Sequence, residues 1–278
     1  MDAGGRSGGP EARAVTRLPM NEAVAPDPLA SFRLDGRVVL LTGASSGIGH
    51  RFAQVLHGAG AQVVVAARRL DRLEELVARL PGSVAVATDV SKDADCARLV
   101  DVSMERFGRI DVLVNNAGTT ATFAPESEPM DEWRNVMAVN VNGAFHLAQL
   151  CASSWMLANG GNIINVASVL GTVSSGRLPQ ASYAASKGAL VNLTRELACL
   201  WARRGVRVNA LCPGWFRSEL TEEITSNDAG MKYLRQRTPM GRLGAAHELD
   251  GALLFLGSDA SSFMTGQTLL IDGGWAAQ

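Results

Sequence analysis

Lysine is close to absent from this chain. Only Lys92, Lys187 and Lys232 occur, so nearly all of the positive charge is arginine, and an isolated lysine such as Lys187 gains interest from that scarcity. Cysteine is sparse too. Cys96, Cys151, Cys199 and Cys212 stand far apart with no CxxC pair, which excludes a disulfide scaffold or zinc module and leaves small buried hydrophobes in a reducing compartment. His50, His57, His146 and His247 are dispersed without metal-ligand spacing, so no metal is expected. No apolar run reaches the ~18 residues a membrane-spanning helix needs. The net charge of −1 argues against a nucleic-acid or membrane surface that works by bulk charge.

What the chain does have is 47% apolar residues, enough for a large core, in a length of 278 that one α/β domain can fill. Residues 1–33, rich in Gly, Ala, Pro and Arg, read as a disordered tail. The tail has no apolar signal segment, and Asp2, Glu11, Glu22 and Asp27 speak against an organelle transit peptide, so a cytoplasmic protein is expected; Met20 is an alternative start. From Arg37 short apolar runs alternate with helical patterns. Strands are expected at 38–41, 63–67, 84–87, 112–114, 163–166, 206–211 and 268–271. Helices are expected after Gly47, from Leu70, over 91–107, 130–157 and 180–204, and near 247–257. Strand–helix alternation implies an α/β fold: one doubly wound domain over 34–278, with a mostly parallel seven-stranded sheet covered by helices on both faces.

The first strand runs into Thr42-Gly43-Ala44-Ser45-Ser46-Gly47-Ile48-Gly49. Gly43 permits a sharp turn, while Gly47 and Gly49 let a phosphate approach the helix start, where free N–H groups favour anions. Ser45 and Ser46 add hydroxyl donors. A GxxxGxG turn at the first crossover points to a dinucleotide. The second strand ends in Arg68 and Arg69, where an acid would hold the ribose 2′-OH of NAD; arginine suits a 2′-phosphate, so NADP(H) is favoured over NAD(H), the alternative being two solvated charges. Asp89 can meet the adenine amine and Val90 the ring, or Asp89 can cap a helix.

Tyr183 and Lys187 lie four residues apart in an expected helix and so share one face. A phenol ordinarily ionises near pH ~10, and a fixed ammonium beside it favours the phenolate, which permits proton exchange near neutral pH. Alone, such a pair reads as a surface coincidence.

TGASSGIG at 42–49, DV at 89–90, NNAG at 115–118, Asn140 in VNVNG, Ser168, YAASK at 183–187, PG at 213–214 and MTGQ…DGG at 264–274 stand in one order. With them the chain resembles the short-chain dehydrogenase/reductase family from about 34 to 278. The resemblance implies an NAD(P)-dependent oxidoreductase that moves a hydride between a nicotinamide and a carbonyl or secondary alcohol. It makes Tyr183 the general acid or base, with Lys187 lowering its pKa and holding the nicotinamide ribose. Ser168 would bind the substrate oxygen, and Asn140 would hold a water that relays protons to Lys187. Asn116, Ala117 and Gly118 would pass under the cofactor; Pro213, Gly214 and Ser218 would meet its carboxamide and diphosphate. A substrate lid is implied at 215–245, where Lys232, Arg235, Arg237 and Arg242 could hold an acidic substrate or form a solvated basic face. Ser168 and Tyr183 are separated by a long loop, 171–180, expected to shape the substrate pocket. Two enzyme branches fit: 3-oxoacyl-carrier-protein reductases, and the sugar, polyol and ketone reductases, within which the lead-in Phe32-Arg33-Leu34-Asp35-Gly36 and PGWF at 213–216 lean toward sugar-acid dehydrogenases. A non-catalytic NADP-binding sensor would have lost Tyr183, Lys187 or Ser168. A homotetramer is implied, built on the two long helices, with Cys151, Trp155, Leu193, Leu197 and Trp201 as apolar surface.

Overall fold

Residues 38–41 show how the sheet is covered on both sides. Val39 and Leu41 pack into one core with Phe52, Leu56, Leu73 and Leu253, while Val38 and Leu40 pack into another with Leu99, Leu147, Met156 and Leu197. Side chains of a strand alternate between faces, so a continuous apolar run is what a strand buried on both faces requires. This computed structural model describes residues 27–278 and Met1.

The seven strands are β1 (Val38–Thr42), β2 (Gln62–Ala67), β3 (Val84–Ala87), β4 (Val112–Asn115), β5 (Gly161–Val166), β6 (Val206–Pro213) and β7 (Thr268–Ile271). They form one sheet in the order β3-β2-β1-β4-β5-β6-β7, and every pairing is parallel, Val39 lying between Val63 and Val112. This is the doubly wound Rossmann arrangement. The strand order reverses between β1 and β4, and the crevice at the carboxyl ends of those strands is where such sheets bind ligands.

Helices α1 (Gly47–Gly58), α2 (Leu70–Val77) and α3 (Asp93–Phe107) follow the first three strands. The long helix expected over 130–157 is continuous but not uniform: α4 (Met130–Met137), α5 (Gly143–Cys151) and a last turn α6 (Leu157–Asn159) are joined by π-helical segments at Ala138–Asn142 and Ala152–Met156. Such wide turns inside a helix often mark functional positions, and the first of them contains Asn140. Helix α7 (Ala181–Trp201) carries the Tyr–Lys pair. The 215–245 segment holds the short helices α8 (Glu222–Thr225) and α9 (Asp228–Arg237), and α10 (Asp250–Gly257) precedes β7.

The tail expected over 1–33 falls largely on residues 2–26, outside the described residues. Its end is built into the fold. Ala30–Phe32 makes a 3-10 turn, and the Phe32 ring lies 6.4 Å from that of Phe255 in α10, so ordered packing begins before Leu34. Two of the five residues expected to offer apolar surface are internal: Cys151 and Leu197 face the sheet and are buried in the α3–α5–α7 core. Exposed large apolar side chains on these helices are Met130, Phe145 and Leu200 instead. Among the described residues, no helix is long and apolar enough to cross a membrane.

Candidate active site

β1 delivers the chain into a turn that only glycine can make. Gly43 has φ +69°, and a Cβ there would stand 2.8 Å from the Ala117 Cα; a Cβ on Gly49 would stand 2.2 Å from the Gly43 carbonyl oxygen. The turn is held from the β4 side. Thr42 Oγ1 accepts hydrogen bonds from the amides of Asn116 (3.1 Å) and Ala117 (3.0 Å), and Asn116 Nδ2 donates to the carbonyls of Thr42 (2.9 Å) and Gly43 (3.2 Å). Thr42 was not singled out from the sequence; its position as last residue of β1, facing the end of β4, was the available signal.

The turn opens on a cleft of about 330 Å³ at the carboxyl edge of the sheet. Every residue expected at the cofactor borders it: Gly43, Ser45, Ser46, Gly47, Ile48 and Gly49 at the turn; Arg68 and Arg69 after β2; Asp89 and Val90 after β3; Asn116, Ala117 and Gly118 after β4; Tyr183 and Lys187 on α7; Pro213, Gly214 and Ser218 after β6. The arginines differ. Arg68 is exposed at the rim, whereas Arg69 Nη2 donates to Ser45 Oγ (3.0 Å), Ser46 Oγ (2.9 Å) and Glu219 Oε2 (2.9 Å). Asp89 Oδ1 accepts from the amide and hydroxyl of Ser91, at 3.1 and 2.7 Å, so it also shapes the turn into α3. An anion-accepting donor set, a helix start and a turn too close for side chains fit a dinucleotide phosphate.

Deeper in the cleft, Lys187 is buried and its Nζ donates to the Val166 carbonyl at 2.8 Å. A Cβ on Gly118 would stand 3.5 Å from both Lys187 Nζ and Asn140 Oδ1, so the two polar groups converge there. Asn140 ties the loop after β4 to α7: Oδ1 accepts from the Thr119 amide (2.8 Å), and Nδ2 donates to the Thr119 carbonyl (2.9 Å) and to Ser186 Oγ (2.9 Å). Both Nδ2 donors are thus committed to protein partners, while Oδ1 accepts one hydrogen bond of the two it can take. Ser168 follows β5, and its Oγ accepts from the Leu170 amide (3.1 Å), capping the turn Val169–Gly171. Beneath these groups a buried chain runs from Asn115 Nδ2 to Asn165 Oδ1 (3.0 Å) and from Asn165 Nδ2 to Thr194 Oγ1 (2.9 Å), joining β4, β5 and α7.

Burial dominates the ionisation of the pair on α7. It pushes the Tyr183 phenol up to about 12, opposed by hydrogen bonding to Ser168, and pulls the Lys187 ammonium down to about 8. Lys187 Nζ stands 5.6 Å from the Tyr183 ring centroid and gives one of its three donors to Val166.

Ser168, Tyr183 and Gly214 also border a second cavity, of about 360 Å³. Its walls are the 171–180 loop, the loop after β4, and the 215–245 segment. Val169, Leu170, Leu178, Trp215, Leu220 and Ile224 supply apolar surface; Thr120, Thr122, Gln180 and Arg177 supply polar groups. The loop and α9 are fastened together, since Tyr233 Oη donates to the Ser175 carbonyl (2.6 Å) and the Arg177 guanidinium lies 5.5 Å from the Tyr233 ring centroid. None of Lys232, Arg235, Arg237 and Arg242 borders this cavity. Arg237 stacks on Trp275 and Arg242 pairs with Glu248, while Lys232 and Arg235 line a separate outer groove. The cation at the pocket is Arg177, which the sequence reading did not name.

A family model described as enoyl-(acyl carrier protein) reductase matches residues 43–276. The gluconate 5-dehydrogenase of Gluconobacter oxydans is 38% identical over 248 residues, covering 87% of this chain and 96% of that protein. The 3-oxoacyl-[acyl-carrier-protein] reductase of Thermotoga maritima is 36% identical over 246 residues, covering 87% and 98%. This chain belongs to the short-chain dehydrogenase/reductase family. Among solved structures, a gluconate 5-dehydrogenase from Burkholderia cenocepacia J2315, in complex with NADP and tartrate, superimposes with a TM-score of 0.87 at 39% identity, over 91% of this chain and all of that one. As a member of the family, this short-chain dehydrogenase/reductase is an NAD(P)-dependent oxidoreductase that acts on the CH–OH or carbonyl group of a small molecule.

Proposed function

We propose that the dehydrogenase oxidises, or forms by reduction, a secondary alcohol of a small hydroxy acid or polyol, using NADP(H) in preference to NAD(H). The observation that carries the reading is the position of Tyr183, Ser168 and Gly214 on the border of both cavities, so that the phenol stands where a cofactor in one meets a substrate in the other. When bound, the nicotinamide supplies or takes the hydride. Tyr183 Oη gives a proton to the forming alkoxide or takes one from the alcohol, and the Ser168 hydroxyl donates to the same oxygen and holds charge that develops there. Lys187, with an ammonium already destabilised by burial, gains from hydroxyl partners and from an ionised phenol; either would favour its charged form. Asn140 positions the loop after β4 and α7 relative to one another and so keeps Lys187 aimed at the cleft.

The substrate class rests on the polar groups of the second cavity. Arg177 offers the pocket a cation for a carboxylate. Gln180 Oε1 and Trp215 Nε1 are buried without hydrogen-bond partners, an acceptor and a donor that substrate hydroxyls would satisfy. The names of the gluconate 5-dehydrogenases among the relatives support an acidic polyol. The apolar wall supports a second reading, a short 3-oxoacyl thioester. A panel of hydroxy acids, neutral polyols and oxoacyl thioesters, followed by NADPH absorbance, separates them. Hydroxy acids should show the highest kcat/KM, and Arg177→Gln should raise KM for them about tenfold while leaving neutral polyols unchanged. A thioester preference untouched by that substitution would favour the second reading.

A further inference from the structure

The donors at the rim of the cofactor cleft already hold an anion from the chain itself. Glu219, on the turn after β6, places Oε2 2.9 Å from Arg69 Nη2 and 2.8 Å from Ser46 Oγ, and Oε1 2.9 Å from Arg72 Nη1 and 3.3 Å from Arg69 Nη1. These contacts hold the carboxyl well below its usual range, at about 2, so it stays ionised across the working pH of a protein. Arg69 is oriented for this by Ser45, whose Oγ accepts from Nη2 and Nε at 3.0 and 3.3 Å. Ser45, Ser46 and Arg69 lie where the end of β2 meets the Gly-rich turn, the place where a Rossmann sheet distinguishes a ribose 2′-OH from a 2′-phosphate. One carboxylate therefore sits on the donor set that a 2′-phosphate needs.

We propose that Glu219 is a cofactor-selecting residue: its carboxylate competes with the adenosine 2′-phosphate for Ser46, Arg69 and Arg72, so NADP(H) binds only by displacing it, whereas a 2′-hydroxyl leaves it in place. A 2′-phosphate that shared the site with Glu219 would bring like charges together around two arginines. A ribose hydroxyl brings no charge and can donate to the carboxylate. Glu219 thus narrows the preference for NADP(H) that Arg69 and Arg72 create, and the inference rests on the proposed use of NADP(H). The residues that follow it, Leu220 and Thr221, border both cavities.

The test is equilibrium binding by calorimetry, with 2′,5′-ADP and 5′-ADP as probes of the adenosine end alone, on the wild-type protein and on Glu219→Gln. Both residues of the ion pair are about half exposed, so the variant should keep its unfolding midpoint, and the effect should shrink at high salt. Glu219→Gln should tighten 2′,5′-ADP by about fivefold or more and change 5′-ADP by less than about twofold, with NADPH and NADH following the same pattern. A variant that binds 2′,5′-ADP as the wild type does, or more weakly, overturns the competition. If neither protein prefers 2′,5′-ADP to 5′-ADP, the use of NADP(H) fails and the proposal falls with it; if only the variant prefers it, Glu219 is the cause.

Discussion

Tyr183 and Lys187 show opposite consequences of one burial. For the lysine, the native pKa of about 8 lies below the ordinary 10.5, so between these values the unfolded chain binds more protons than the native one. Stability contributed at this residue therefore rises as pH goes from about 8 to 10.5. For the tyrosine, the native value of about 12 lies above the ordinary 10.0; the native state holds its proton longer, and stability is lost as pH rises from 10 toward 12. Relative to Lys187→Met, the wild-type protein should gain in urea midpoint between pH 7 and pH 10; a difference that stays flat would show that the ammonium is not desolvated. The chemistry of the pair has its own test. Tyr183→Phe should lower kcat by about 100-fold or more, the range of a lost general acid–base group, with the Kd for NADPH within a few-fold of wild type. A variant that turns over normally would remove Tyr183 from the reaction.

Among the elements, the long helix and the 171–180 loop matter most to the site. The π-helical turn at Ala138–Asn142 rotates Asn140 inward, where it bridges Thr119 and Ser186. One extra residue in a turn shifts the helix face by about 100°, a shift that is not registered when 130–157 is read as one regular helix. The loop and α9 form the outer wall of the substrate pocket and are joined by the Tyr233–Ser175 hydrogen bond. Tyr233→Phe removes that bond, which is worth about 1 kcal/mol. The expected result is faster amide exchange in residues 171–180 and 228–237, with a severalfold higher KM and a smaller change in kcat. Unchanged exchange would show that other contacts carry the wall.

At the scale of the whole molecule, helices cover both faces of the sheet, yet Phe145 on α5 and Leu200 on α7 present apolar side chains to solvent. Exposed apolar groups on two neighbouring helices suit a symmetric contact between copies. The wild-type protein is predicted to run as a homotetramer in light scattering, and Phe145→Arg with Leu200→Arg should lower the mass to that of a smaller species while the unfolding midpoint of the fold persists. A monomeric wild-type mass would refute the assembly.

The sequence by itself determined the order of strands and helices, the Gly-rich turn and the identity of the Tyr–Lys pair. These are local: a buried strand must be apolar without interruption, a turn with φ +69° must be glycine, and residues four apart on a helix must share a face. What only the tertiary structure decided are the contacts between distant segments. Thr42 reaches Asn116 and Ala117 because β1 and β4 are neighbours in the sheet, though some 70 residues separate them. Arg177 became the pocket cation, in place of the four basic residues of 215–245, because the loop folds over the phenol while α9 turns its basic face outward. The burial of Tyr183 and Lys187 is decided in the same way. Spacing places two side chains on one face, but desolvation by everything packed around them sets the larger part of both pKa values. Glu219 lies 150 residues from Arg69 along the chain, and no local pattern announces that the two share one anion site.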